Sequence, residues 1–168
     1  VDRLLERLGR IDVLVNNAGG SPWKPFLQTS ERLFEESFRF NVTSAFLLAR
    51  LAVPHILAGG GGAIVNISSA LGRITDRGFS AYGTAKAALS FLTEQLAQDF
   101  APKVRVNAIA VGSVRTDALG TILNDQIEKM MVDMTPMARL GEVEDIAACA
   151  LYLASPAASF VTGEIYGV

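Results

Sequence analysis

Short and almost wholly apolar runs alternate along this chain with longer stretches of helical periodicity. The runs cover residues 11–15, 63–67, 104–110 and 160–166. An apolar run of this length is typical of a strand that is buried on both faces, as in a parallel sheet. Strands that alternate with helices predict an α/β fold with a doubly wound parallel sheet and right-handed crossovers.

Each helical stretch carries one apolar stripe. Ser30 is the predicted N-cap of a long helix that ends before Gly59, and Asn41 falls on the apolar stripe of that helix. The predicted inward positions are Phe34, Phe38, Ala45, Leu48 and Ala52 in this helix, Tyr82, Ala85, Leu89, Leu92, Leu96 and Phe100 in the next, and Val143, Ile146, Ala150 and Leu153 in a helix over about 142–153.

Three of the predicted strands end in polar or glycine-containing segments, at residues 16–19, 68–69 and 111–112. Ligands of doubly wound sheets bind beyond the carboxyl ends of the strands. We therefore expect these three segments to line one crevice.

Tyr82 and Lys86 are four residues apart, and Ser69 precedes the tyrosine by thirteen residues. On a helix this spacing places the phenol and the ammonium on one face, where the cation stabilises a phenolate. The spacing predicts that Tyr82 acts as an acid or base.

The glycine run at residues 59–62 does not have the context of a phosphate-binding loop. It follows a helix and precedes a strand, whereas the dinucleotide fingerprint follows a strand and opens a helix. The run is interpreted as a turn, and no G-x-G-x-x-G sequence occurs in the chain.

Length and charge favour a single soluble domain over residues 1–168. The net charge of −2 offers no basic surface for nucleic acid. The longest fully apolar run, residues 146–154, is about half of the roughly 20 residues that cross a bilayer, so we expect no membrane segment. The single cysteine, Cys149, cannot form an internal disulfide and is predicted to be buried, which favours a cytoplasmic location.

Residues 113–140 are less regular and are predicted to form a substrate lid within the domain. Four methionines lie near the end of this segment: Met130, Met131, Met134 and Met137. They are either plain packing residues or an adaptable wall for a bulky apolar substrate.

Five segments together resemble the classical short-chain dehydrogenases/reductases. They are Asn-Asn-Ala-Gly at 16–19, Phe-Asn-Val around Asn41, Val-Asn-Ile-Ser-Ser at 65–69, Tyr-Gly-Thr-Ala-Lys at 82–86 and Val-Asn-Ala-Ile-Ala at 106–110. Tyr-x-x-x-Lys alone is a weak signal, but its order and separation within this set make the resemblance strong. Residues 117–119, 135–137, 139–141 and 155–159 are most similar to bacterial hydroxysteroid dehydrogenase-type members.

The resemblance implies an NAD(P)-dependent oxidoreductase that interconverts a secondary alcohol and a ketone. Tyr82 would be the acid or base, Lys86 would lower its pKa and bind the nicotinamide ribose, and Ser69 would hold the substrate oxygen. Asn41 would position a water molecule that links the lysine to solvent.

The resemblance also implies a cofactor site and an assembly. Asn16 and Asn66 would tie neighbouring strand ends together, and the helices that begin near Ser30 and Tyr82 would form the interface of a homodimer or homotetramer. The implied contacts of NAD or NADP are Asn17, Ala18, Gly19, Gly112, Val114 and Thr116, with Tyr82 and Lys86.

Each of these roles has a simpler structural alternative. Tyr82 could be a half-buried residue at a helix start and Lys86 a solvated surface residue. Asn41 could merely satisfy a backbone group. Ser68 and Ser69 could both cap a strand end, and only the separation from the tyrosine selects Ser69. His55 stands apart from any cluster of metal ligands, so we expect no metal site.

The chain departs from the family pattern in two kinds of place. Val111 stands where proline is common before Gly112, and Thr84 replaces a common serine. The first three strands of the family fold and its phosphate-binding turn would precede Val1, so we expect a Rossmann-like fold that is cut at the N-terminus and slightly at the C-terminus. The strand at residues 11–15 is then expected to form an exposed edge.

Two further functions remain open at this point. The chain could be a catalytically inactive remnant whose helices form an oligomer interface, or a nucleotide-sensing or scaffold protein of the same fold.

Overall fold

The computed structural model describes residues 1–120 and 123–168. Within these residues four strands form one parallel sheet in the order β1-β2-β3-β4. The strands are β1 (Val13–Asn16), β2 (Gly62–Ser69), β3 (Val104–Val111) and β4 (Ile165–Gly167). The predicted parallel α/β architecture is confirmed.

Helices connect the strands in the order that the sequence predicts. The helix α1 (Asp2–Leu8) precedes β1, and α4 (Ser80–Phe100) joins β2 to β3. The β1 to β2 connection contains α2 (Glu31–Phe38), a π-helical segment (Arg39–Thr43) and α3 (Ser44–Ala58), and the β3 to β4 connection contains α5 (Asp117–Gly120), α6 (Asp125–Asp133) and α7 (Val143–Ala154).

The two faces of the sheet carry separate hydrophobic clusters. Ile64 of β2 belongs to a cluster with α3 and α4, whereas its neighbour Val65 belongs to a cluster with Leu153 of α7. Successive side chains of a strand point to opposite faces, so helices cover both sides of this sheet. This is the doubly wound arrangement. Cys149 of α7 is half-buried against the second cluster, less deeply than predicted.

The long helix after Ser30 is not regular. The Ser30 hydroxyl accepts a hydrogen bond from Leu33 N at 3.2 Å, as an N-cap does, but the helix widens into the π-helical segment at Arg39–Thr43. The inward stripe also differs from the prediction: Phe34 and Leu48 are exposed, whereas Ser37 and Ala49 are buried. The residues that face the core are Ser37, Asn41, Ala45, Ala49, Ala52, Val53 and Ile56.

The span Glu31–Ala58 is long and apolar enough to cross a membrane by length and composition alone. The longest uninterrupted apolar run did not reveal this property. A core helix of a soluble protein has the same character, and here Ala49, Ala52 and Ile56 pack against the sheet.

The predicted bounds of the last strand and the predicted inward position of Val143 are wrong. The last strand covers only Ile165–Gly167. The preceding turn at Gly163 (φ 78°) is held to β3 by side-chain as well as backbone hydrogen bonds. The Thr162 hydroxyl accepts from Val106 N at 3.0 Å, and Asn107 bonds to Val161 O and Glu164 N. In addition, Val143 is 51% exposed instead of inward, because it is the first residue of α7.

The strand β1 lies at an edge of the sheet. Val13 is 39% and Val15 is 48% exposed, so this strand is not buried on both faces as its apolar run predicts. The expected exposed edge is present.

Candidate active site

The carboxyl ends of β1 and β2 are tied together by buried amides, as predicted. Asn16 Nδ2 donates to Asn66 Oδ1 at 2.8 Å, and Asn66 Nδ2 donates to the Thr93 hydroxyl at 2.9 Å. All three side chains are buried. This ladder fixes the strand ends and α4 relative to one another.

The two serines at the end of β2 have different surroundings. Ser68 Oγ donates to the Lys86 carbonyl at 3.0 Å and shares a 2.8 Å hydrogen bond with Ser90 Oγ, so its hydroxyl is used in packing α4 on the sheet. Ser69 Oγ accepts from Leu71 N at 3.2 Å and lies 3.5 Å from Val111 O. The hydroxyl of Ser69 is therefore not used in packing α4, and its role in holding a substrate oxygen stays a prediction.

Lys86 is 2% exposed and lies on the inner face of α4. Its Nζ atom donates to Ile67 O at 2.7 Å and lies 5.6 Å from the centroid of the Tyr82 ring. Burial lowers the pKa of the Lys86 ammonium to about 8. The solvated surface lysine considered as an alternative is excluded.

Tyr82 is half-buried in the first turn of α4. Burial raises the pKa of its phenol above 10, and the Ser69 hydroxyl acts in the opposite, weaker direction. The predicted lowering of the pKa of Tyr82 is wrong for this structure, because removing the phenolate from water outweighs the hydrogen bond. Ser69 and Tyr82 are nevertheless brought together.

Asn41 lies in the middle of the π-helical segment and is 1% exposed. Its Nδ2 atom donates to Gly20 O at 2.8 Å and to Ser37 O at 2.9 Å, and its Oδ1 atom accepts from Gly20 N at 2.9 Å. π-Helical turns are frequent at functional sites. The side chain of Asn41 thus satisfies backbone groups, and its role in holding a water molecule stays a prediction.

Gly19 lies where Asn41 and Lys86 approach the loop after β1. A Cβ atom at this position would lie 2.7 Å from Asn41 Oδ1 and 2.7 Å from Lys86 Nζ. Only glycine leaves these two polar atoms uncovered. Asn17 and Ala18 precede it on the exposed part of the same loop.

The residues after β3 are held by backbone contacts. Gly112 N donates to Val168 O at 2.7 Å, and Val114 is buried and forms a parallel bridge with Gly141. Thr116 Oγ1 accepts from Leu119 N at 3.2 Å and caps α5. The contact of these residues with a cofactor stays a prediction.

The predicted lid has a closed stem. Gly141 N donates to Ser113 O at 2.9 Å and Arg115 N donates to Gly141 O at 2.8 Å. The Arg115 guanidinium reaches Glu128 of α6 at 2.6 Å and Glu142 at 3.5 Å. Residues 121–122 of the lid lie outside the described residues, and Met130, Met134 and Met137 are exposed.

No sequence pattern points to Trp23, although it is the single tryptophan of the chain. Its indole lines a groove of about 780 Å³ together with Phe26, Leu71, Ile74, Phe79 and Ala87. The groove adjoins the start of α4, where Ser80, Gly83 and Thr84 also line it.

Comparisons with known proteins agree with this geometry. A family model described as Enoyl-(Acyl carrier protein) reductase matches residues 1–168. An uncharacterized oxidoreductase of Mycobacterium tuberculosis is 51% identical over 158 residues, which are 93% of this chain and 60% of that protein. The 7alpha-hydroxysteroid dehydrogenase of Escherichia coli is 42% identical over 168 residues, 99% of this chain and 66% of that protein.

A solved structure has nearly the same backbone. It is a 7 alpha-hydroxysteroid dehydrogenase complexed with NADH and 7-oxo glycochenodeoxycholic acid, with a TM-score of 0.95 and 42% identity. The match covers 99% of this chain and 66% of that one, so the chain spans slightly less than two thirds of the length of this relative.

Proposed function

Because this chain belongs to the short-chain dehydrogenase/reductase family, we propose that the protein carrying it is an NAD(P)-dependent oxidoreductase. The proposed reaction interconverts a secondary alcohol and a ketone. Tyr82 is its acid or base.

The observation that carries the proposal is the position of Lys86. A buried ammonium is held by one hydrogen bond to Ile67 O and lies 5.6 Å from the Tyr82 ring, at the end of β2 where Ser69 stands. An ammonium has three donors, so two remain for ligands after this bond. Burying a cation that has no carboxylate partner among the described residues is costly, and such groups cluster at functional sites.

Tyr82 is suited to donate a proton to a carbonyl oxygen. Burial raises the pKa of its phenol, so the hydroxyl is protonated at neutral pH. The Ser69 hydroxyl would accept or donate a hydrogen bond at the same substrate oxygen. In the proposed reduction of a ketone, Tyr82 is therefore the proton donor.

The residues at the strand ends fit a nicotinamide nucleotide. The free donors of Lys86 match the two hydroxyls of a ribose, and Gly19 leaves Lys86 and Asn41 uncovered. Asn17, Ala18 and Gly19 would hold the nucleotide from the β1 side, and Gly112, Val114 and Thr116 from the β3 side. When bound, the nicotinamide supplies or accepts the hydride.

We propose a bulky, mainly apolar alcohol or ketone as substrate. The relative of known structure is described with 7-oxo glycochenodeoxycholic acid, a large ketone. The exposed methionines of the lid, at 55% to 76%, provide an adaptable apolar surface on this chain.

The protein is further proposed to be a cytoplasmic homo-oligomer. Leu47 and Leu51 of α3 and Phe91 of α4 are between 47% and 61% exposed, and such apolar patches favour association. Neither nucleic acid nor a membrane is proposed as a partner.

The deciding experiment measures oxidation of NADH and NADPH by the purified protein with a series of ketones, including a 7-oxo bile acid. The expected result is turnover that Tyr82→Phe removes. Binding of a reduced nucleotide without any turnover would favour the inactive or scaffold function instead.

A further inference from the structure

Trp23 joins two loops that are far apart in the sequence. Its Nε1 atom donates to Arg77 O at 2.9 Å, and the next residue, Lys24, donates its backbone N–H to Gly78 O at 3.0 Å. We call these two hydrogen bonds the Trp23 clamp. The clamp fixes the loop after β1 to the loop that leads into α4.

The indole ring also lies directly against Gly78. This glycine has φ 82°, and a Cβ atom built on it would lie 2.1 Å from Trp23 Nε1. Glycine is required here both for its backbone conformation and for the space that the ring occupies. Ring and loop are therefore mutually fitted, and the contact is more than one hydrogen bond.

The loop that the clamp holds runs directly into the turn that carries the tyrosine. Phe79 follows Gly78 and precedes the first residue of α4, and its carbonyl accepts from Gly83 N at 2.7 Å. The Phe79 ring centroid lies 6.3 Å from that of Tyr82, with a tilt of 57°. A movement of Gly78 would thus move both the start of the helix and the ring that shields Tyr82.

The other end of the clamped loop is held by Asn41. Both backbone groups of Gly20 bond to the Asn41 amide, at 2.9 and 2.8 Å. The segment from Gly20 to Lys24 therefore connects the π-helical segment to the start of α4. Two independently anchored ends make this segment a rigid link.

We propose that Trp23 is a positioning residue that holds the first turn of α4, and with it Tyr82, in place relative to Ser69 and to the loop at Gly20. The predicted effect of Trp23 on kcat rests on the proposed function. The predicted effect of Trp23 on the burial of Tyr82 does not depend on that function.

The test compares two substitutions of Trp23. Trp23→Phe keeps a ring against Gly78 and removes the N–H donor, and Trp23→Ala removes both. Leu27→Ala is the matched control, because Leu27 is 96% exposed in the same connection. The measurements are kcat, KM, the thermal midpoint and the titration of Tyr82 without nucleotide, followed by NMR of tyrosine labelled with carbon-13 at Cζ and assigned with Tyr82→Phe.

The expected result for Trp23→Phe is a kcat reduced about tenfold, within the range that misplacement of a reacting group causes. The KM for nucleotide should change by less than about twofold, because a misplaced acid weakens stabilisation of the transition state and not the binding of nucleotide. The pKa of Tyr82 should fall toward its ordinary value, because burial is what raises it. Trp23→Ala should give larger changes in the same directions.

Gly78→Ala tests the same contact from the other side. Since the chain has one tryptophan, its fluorescence reports on the clamp directly. The emission of Trp23 should shift and kcat should fall as in Trp23→Phe.

The proposal is overturned if both Trp23 variants lower the thermal midpoint but leave kcat and the titration of Tyr82 as in Leu27→Ala. If Trp23→Ala does not fold, the kcat and the Tyr82 titration of Trp23→Phe alone decide whether the proposal holds. If the native protein has no oxidoreductase activity, the proposed function fails, whereas the titration of Tyr82 in the variants still decides the positioning role.

Discussion

The ammonium of Lys86 is anchored to the carbonyl oxygen of Ile67, at 2.7 Å, and not to a carboxylate. The positive charge beside Tyr82 is therefore held by a backbone carbonyl near the end of β2. Because the charge is not neutralised by this bond, it remains available to a phenolate or to a ligand.

Replacing Tyr82 by Phe removes the proposed proton donor and little else. We expect turnover to fall by at least about a hundredfold, the lower range for a general acid, while binding of the reduced nucleotide is kept. Steady-state kinetics and a fluorescence titration measure the two quantities. Tyr152→Phe, on α7, is the control and should retain activity; equal turnover in both variants would contradict the acid role of Tyr82.

Replacing Lys86 by Met removes a buried charge. The pKa of Lys86 falls from 10.5 to about 8 on folding. Between these values the unfolded chain holds a proton that the folded protein lacks, so the stability of the native protein rises with pH through this window. Below pH 8 the folded protein carries the full free-energy cost of burying the charged ammonium.

The stability of the Lys86→Met variant relative to the native protein should therefore be highest at pH 7. This difference in the free energy of unfolding should shrink by up to about 3 kcal/mol as the pH rises to 10.5. Urea unfolding of both proteins across this range measures the difference. A difference that does not change with pH would show that the lysine pKa is not lowered.

Replacing Asn41 by Leu leaves both backbone groups of Gly20 without their partner. Each buried polar group left unpaired costs about 1 to 3 kcal/mol, so we expect the free energy of unfolding to fall by about 2 to 6 kcal/mol for the two groups. Urea unfolding measures this loss as a lower midpoint concentration, with an unchanged dependence of the free energy on urea. Asn124→Ala, which removes the exposed N-cap of α6, should cost only about 1 kcal/mol, and a similar loss in both would argue against the Gly20 contact.

Replacing Gly19 by Ala places a methyl group 2.7 Å from Lys86 Nζ and from Asn41 Oδ1. Overpacking of this kind costs about 1 to 3 kcal/mol. A loss of this size in the complex with NADH or NADPH weakens binding by about 5- to 150-fold. A calorimetric titration measures the affinity. Gly167→Ala, where a Cβ atom meets open space, is the control, and unchanged affinity in Gly19→Ala would remove this loop from the proposed site.

Replacing Leu51 by Glu places a charge in the exposed apolar patch of α3. We expect the molar mass measured by light scattering to fall to that of a smaller assembly, because the charge must be buried for association. Leu27→Glu, at a residue that is 96% exposed outside the patch, should leave the mass unchanged. Retention of the native mass by Leu51→Glu would place the interface elsewhere.

The apolar runs predicted the parallel sheet and its order of helices because burial on both faces leaves a continuous signal. The spacing of Ser69, Tyr82 and Lys86 likewise placed these residues at one strand end, as the structure has them. These predictions depend only on periodicity and on the fixed geometry of strand and helix.

Other features depend on contacts between distant residues. The turn at Gly163 replaces the start of the predicted strand because the Asn107 side chain bonds to the backbone of Val161 and Glu164, and an apolar run does not reveal such a partner. The raised pKa of Tyr82 follows from burial by neighbours, which spacing alone does not measure. Trp23 finds its partner 54 residues away.

The π-helical segment sets the rotational phase of everything that follows it. Ser37, Asn41, Ala45 and Ala49 all face the core at steps of four residues, and each such step overruns a regular α-helix by about 40°. The wide turn at Arg39–Thr43 takes up this excess. Deletion of a single residue there would leave a more regular helix but would turn Ala49 and Ile56 away from the sheet. Apart from Asn41, this stretch should therefore tolerate substitutions far better than changes in length.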